Sequence, residues 1–167
     1  MMGKSQLAEE LVKELLARSK TLTVVESCTG GLFADAVVRI PSASKVFWGA
    51  FVTYTASAKA AMLGVDTVDR FGAVSRETAL SMAKKAIERS DADLAIAITG
   101  IAGPDRDGTD VPVGTIWIAL ARKGEEADDV ASAEVFHFSG SRNEVREYAT
   151  CKALEKAVAI LSDERYP

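Results

Sequence analysis

The chain is poor in the residues from which many sites are built. His137 is its one histidine, which excludes a centre assembled from several imidazoles. Cys28 and Cys151 are its two cysteines; they have no metal-ligand spacing and make no disulfide framework, as befits a reducing compartment. No apolar run reaches the ~18 residues of a membrane span, and the chain starts amphipathic and mixed in charge, so no membrane association is expected and the cytoplasm is the default location. A basic excess is also missing: the net charge of −4 gives no electrostatic reason to expect nucleic acid as a partner. Asp105, Arg106 and Asp107 offer carboxylates without the spacing of a calcium loop, so no metal is expected.

What is there is a globular composition, 48% apolar and 26% charged over 167 residues, which excludes disorder and suits one domain spanning residues 1–167. Apolar positions at Leu7, Leu11, Val12, Leu15 and Leu16 predict an opening helix over Ser5 to Ser19. Leu22 to Val25 and Leu94 to Ile98 are short, continuous apolar runs, the pattern of strands covered on both faces. Phe47 to Thr55 reads as a further strand with a weak point or bulge at Gly49. Ala56 to Leu63 reads as a short helix, and Ser75 with Thr78 caps another. Val113 to Leu120 and Val130 to Phe138 are strands joined antiparallel by a hairpin over Arg122 to Asp129, and Ser141 with Glu144 opens the last helix. The expected fold is a three-layer α/β/α sandwich with a mixed, mostly parallel sheet of about five strands.

Two of these strands stop abruptly in hydroxyl and glycine: Glu26-Ser27-Cys28-Thr29-Gly30-Gly31 after the first, Thr99-Gly100-Ile101-Ala102-Gly103-Pro104 after the other. If they are parallel neighbours, Ser27, Thr29 and Thr99 converge at one sheet edge, where the glycines bring backbone amides towards an anionic group. Tyr54 and Lys59 come next; a lysine of lowered pKa serves as base to a serine, and a tyrosine relays a proton, against the plainer reading of a strand-end tyrosine and a solvated lysine. Glu26 ends a buried strand and needs a partner, either Lys59 or the amides of the turn. Cys28 is a nucleophile or simply small and buried. His137, between Phe136 and Phe138, reads as strand packing. Arg142, opening a helix against its dipole, is placed to clamp a phosphate.

Together with Gly49-Ala50-Phe51-Val52-Thr53-Tyr54, Gly72-Ala73-Val74-Ser75, Pro112-Val113-Gly114-Thr115 and Phe138-Ser139-Gly140-Ser141-Arg142, these blocks resemble, in order and over nearly the whole chain, the CinA C-terminal domain family. The resemblance implies the α/β/α fold, hydrolysis of nicotinamide mononucleotide (NMN) to nicotinic acid mononucleotide and ammonia in pyridine nucleotide recycling, no metal or other cofactor, and association into dimers or larger oligomers. It implies Ser27 as nucleophile, Tyr54 and Lys59 assisting proton transfer, Thr99 beside the reacting group and Arg142 near the phosphate. Glu26, Thr29, Gly30, Gly31 and Gly100 complete the expected substrate-binding set, with amides of Thr29 to Gly31 as oxyanion donors and Glu26 as organiser of Lys59. Longer relatives carry a preceding domain associated with hydrolysis of nucleotide diphosphate sugars, an activity not expected here. The alternatives are a non-catalytic nucleotide-binding module, a thiol amidase working through Cys28, and a structural partner in DNA uptake or repair.

Overall fold

The computed structural model describes residues 2–124 and 131–163. In chain order these form α1 (Lys4–Arg18), β1 (Leu22–Glu26), α2 (Leu32–Val38), a 3-10 turn (Ala43–Lys45), β2 (Phe47–Val52), α3 (Ala56–Leu63), α4 (Val68–Phe71), α5 (Arg76–Ser90), β3 (Leu94–Gly100), β4 (Thr115–Arg122), β5 (Ala131–His137) and α6 (Arg142–Ser162). The sheet order is β2-β1-β3-β4-β5. β2, β1 and β3 are parallel, while β4 runs antiparallel to both β3 and β5. The sheet is therefore mixed, as expected; the predicted connection between β4 and β5 falls largely outside the described residues.

Side-chain size along the strands decides how each face is covered. Leu22 and Val24 of β1, Leu94, Ile96 and Ile98 of β3, and Ile116 and Ile118 of β4 pack with α1, α2 and α6. The alternate positions, Ala95 and Ala97 of β3 and Ala119 and Ala121 of β4, are small and meet Ala79, Met82, Ala83 and Ala86 of α5. Alanine on both partners lets α5 lie close against the sheet, whereas the branched face holds its helices off with larger side chains. The chain leaves β1 through α2 on one face to reach β2, then returns past β1 through the helices of the other face to reach β3. β1 is thus a topological switch point, where open α/β sheets leave a crevice outside the strand ends.

Three strand ends meet at that crevice. β1 and β3 are in register from Leu22 opposite Leu94 to Glu26 opposite Ile98. The ladder continues past β1 on both sides, through Ser27 N–H to the Ile98 carbonyl at 3.1 Å and Thr53 N–H to the Glu26 carbonyl at 2.8 Å. The irregularity expected at Gly49 is a register shift opposite Leu22/Thr23. β4 starts at Thr115, two residues later than predicted, because Gly114 takes φ +88° and its position leaves no room for a Cβ, which would fall 2.0 Å from the Phe138 carbonyl oxygen.

Candidate active site

The turn after β1 is built on Glu26. Its carboxylate, fully buried, accepts N–H bonds from Gly31 at 3.1 Å, Phe33 at 3.1 Å and Ala34 at 3.0 Å, which satisfies the first turn of α2. No hydrogen bond joins Glu26 to Lys59 among the described residues. The expected role as organiser of Lys59 is therefore corrected: the three amides fill the carboxylate, and Glu26 lies beneath the turn rather than in the cleft.

Ser27 stands above it, at the end of the strand. Its Oγ receives a hydrogen bond from Lys59 Nζ at 2.9 Å and donates to the Tyr54 carbonyl at 3.3 Å. Lys59 is brought there by α3, whose first residue follows directly on Thr55. The Thr55 hydroxyl accepts from Ala58 N–H at 3.1 Å, capping the helix and fixing its start one turn before Lys59. The lysine is 1% exposed and also donates to the Thr53 carbonyl at 2.8 Å. It is not a solvated side chain. Burial lowers its pKa from 10.5 to about 8, with the nearby Cys28 pulling the other way.

That arrangement supports two proton states. With Lys59 charged, Nζ donates to both Ser27 Oγ and the Thr53 carbonyl. With Lys59 neutral, its lone pair is free to accept the Ser27 proton, while one N–H remains on Thr53. An amine poised between the two near pH 8 is what a base for a serine nucleophile requires.

The cleft over this pair measures about 280 Å³ and is lined by Ser27, Cys28, Tyr54, Lys59, Thr99 and Arg142, with Gly100 to Gly103 along one wall. Thr99 is 1% exposed and donates from its hydroxyl to the Ala73 carbonyl at 2.8 Å, so the loop before α5 closes that side. Gly100 is glycine because a Cβ there would fall 2.6 Å from the Thr115 carbonyl oxygen, a demand of packing against β4. Arg142, the first residue of α6, follows the capping box of Ser141 and Glu144 and reaches across the mouth to Tyr54 and to the Gly103 carbonyl.

Thr29, Gly30 and Gly31 do not line the cleft. Thr29 is fully buried with its hydroxyl unpartnered among the described residues. The Gly30 amide is spent on the Ser27 carbonyl at 3.1 Å and that of Gly31 on Glu26. Two of the three expected oxyanion donors are thus occupied; the N–H groups of Cys28 and Thr29 take no backbone acceptor among the described residues, and of these two residues Cys28 lines the cleft. Burial pushes the Cys28 thiol up to about 11, which removes the thiolate a thiol amidase needs near neutral pH. His137 sits outside the cleft, its Nδ1 3.3 Å from the Thr115 hydroxyl.

One residue of the site was not anticipated. Arg146, in α6, donates to the carbonyls of Cys28 and Thr29 at 3.0 Å each. Only its position one helical turn after Arg142 could have signalled that both reach the same end of the sheet.

Fold and site define a three-layer α/β/α domain with a lysine–serine pair at the switch point of its sheet. The chain belongs to the CinA family: the model of the CinA C-terminal domain matches residues 4–161. It is 43% identical over 152 residues to the nicotinamide-nucleotide amidohydrolase PncC of Escherichia coli K12, covering 90% of both chains. A relative from Lacticaseibacillus casei, named provisionally as a competence-damage inducible protein, is 41% identical over 94% of this chain, which spans 37% of that relative's length. Among solved structures, a CinA superfamily protein from Escherichia coli superposes with a TM-score of 0.86 at 38% identity, over 95% of this chain and 89% of that one. The competence damage-inducible protein A of Klebsiella pneumoniae gives 0.91 at 29% identity, over 98% and 99%.

Proposed function

We propose that this chain hydrolyses the carboxamide of NMN to nicotinic acid mononucleotide and ammonia. The observation that carries the reading is Lys59 Nζ, with its lowered pKa, 2.9 Å from Ser27 Oγ on the floor of a small cleft. The name of the Escherichia coli relative points to the same reaction.

Neutral Lys59 takes the Ser27 proton as Oγ bonds to the carboxamide carbon, and the carbonyl becomes an oxyanion. The Cys28 N–H, on the residue after the nucleophile, is the donor best placed for that charge; one such donor contributes about 3 kcal/mol. The C–N bond then breaks, and Lys59 returns the proton to the departing nitrogen, releasing ammonia. Water, deprotonated by Lys59, attacks the Ser27 ester; collapse expels Ser27, which regains its proton, and nicotinic acid mononucleotide leaves. Thr99 flanks the reacting group, and Tyr54 assists proton transfer from the rim.

Arg142 takes the phosphate at the mouth, where its guanidinium already supplies two donors to neutral acceptors. The protein works in the cytoplasm as a homo-oligomer; Trp48, 51% exposed on the edge strand β2, supports association. No helix among the described residues is long and apolar enough to cross a membrane. Incubation of purified protein with NMN, with ammonia measured, tests the reading. Tight NMN binding without product would favour the non-catalytic nucleotide-binding module instead.

A further inference from the structure

Ser27 is held at both of its peptide groups. Its N–H donates to the Ile98 carbonyl at 3.1 Å, and its carbonyl accepts from Gly30 N–H at 3.1 Å. The first hold belongs to the sheet and is rigid. The second crosses a turn whose glycines, Gly30 at φ +58° and Gly31 at φ +102°, are the residues with the widest backbone freedom. Glu26 holds the Gly31 N–H at 3.1 Å and Leu32 N–H reaches the Thr29 carbonyl at 3.3 Å; a grip from a separate helix would add to these.

Arg146 is so placed. Nε donates to the Cys28 carbonyl and Nη2 to the Thr29 carbonyl, both at 3.0 Å, while Nη1 donates to Asn143 Oδ1 at 3.0 Å and steadies the guanidinium from its own helix. Because a peptide unit is planar and trans, fixing a carbonyl fixes the N–H of the next residue in the opposite direction. The grip on Thr29 C=O therefore aims the Gly30 N–H at the Ser27 carbonyl. The grip on Cys28 C=O sets the plane that follows the proposed oxyanion donor. We propose that Arg146 is a positioning residue for the nucleophile, one whose planar two-pronged contact with successive carbonyls holds Ser27 in line with Lys59. The inference deepens the proposed reaction and rests on it for the turnover readout. A lysine cannot replace this residue, since one ammonium does not present two donors in a fixed fork.

The test compares wild type, Arg146→Lys and Arg146→Ala in two assays: ammonia release from NMN, and the rate at which a fluorophosphonate labels Ser27 without NMN. Misplacement of a reacting group by about 1 Å costs about 10²-fold in rate. The expected result is a drop of kcat by about that factor in both variants, with KM within about twofold, and a parallel fall in labelling. Millimolar guanidinium should restore both rates in Arg146→Ala, while ammonium should not. The pH midpoint of kcat near 8 should persist, because Lys59 is untouched. Labelling and turnover within twofold of wild type, or a raised KM with unchanged kcat, would overturn the proposal. If wild type releases no ammonia yet labelling still falls and is rescued, the NMN reading fails and the positioning role stands. Labelling that falls without guanidinium rescue in Arg146→Ala and without loss in Arg146→Lys would also overturn it.

Discussion

Arg142 Nη2 donates to the Tyr54 phenol oxygen at 2.5 Å, joining the first turn of α6 to the segment after β2 across the mouth of the cleft. A second donor, Nη1, holds the Gly103 carbonyl at 2.6 Å. On the proposed reading, a phosphate at Arg142 would displace these two neutral acceptors by its charge. In the proposed reaction that exchange would free Tyr54, which is half exposed, to assist proton transfer.

Arg142→Ala should therefore raise KM for NMN by about 10- to 100-fold, the loss of one or two charge-assisted hydrogen bonds. For nicotinamide riboside, which has no phosphate, the same variant should change KM by less than about twofold. Steady-state kinetics on both substrates check this. Equal effects on the two would remove Arg142 from the phosphate.

Lys59 governs the pH dependence. Only its neutral form accepts the Ser27 proton, so kcat should fall tenfold per unit below about 8 and level off above it. The same burial has a consequence for stability, with a definite sign. The folded pKa is about 8 against 10.5 unfolded, so below pH 8 both states hold the proton and the folded state bears the full cost of burying it. Between 8 and 10.5 the folded state releases its proton first, and stability rises with pH. Lys59→Met should abolish turnover and remove that rise in stability between pH 8 and 10.5. Thermal melts at pH 7 and 10 measure the difference.

Glu26 is predicted to matter for the fold first and for catalysis through it. Glu26→Gln replaces one of two accepting oxygens with an NH2 group facing backbone donors. Stability should drop by about 2–3 kcal/mol, seen in denaturant titration, and kcat should fall with KM little changed.

Much of this was readable from residue types. The continuous apolar runs of β1 and β3 announced buried strands, and the hydroxyls that end them placed Ser27 and Thr99 at one edge once the strands proved parallel neighbours. Ser75 and Ser141 announced their helices, because a cap is a local contact between a side chain and an amide three residues on. Glu26 stood between two partners, Lys59 and the amides of the turn, because backbone amides have no residue identity to favour them in the sequence; the amides proved to be its partners. Thr29, Gly30 and Gly31 look like ligand chemistry in one dimension, yet the left-handed glycines turn them away from the cleft. Arg146 was invisible because its acceptors are carbonyls 117 and 118 residues away.

The central claim is that Ser27, activated by Lys59, attacks the carboxamide. Ammonia release from NMN by Ser27→Ala tests it, with calorimetry alongside to establish that NMN still binds. Retained binding is expected, with turnover lower by at least about 10³-fold, since the nucleophile and its base act as a unit. Turnover by Ser27→Ala within a few fold of wild type would contradict it.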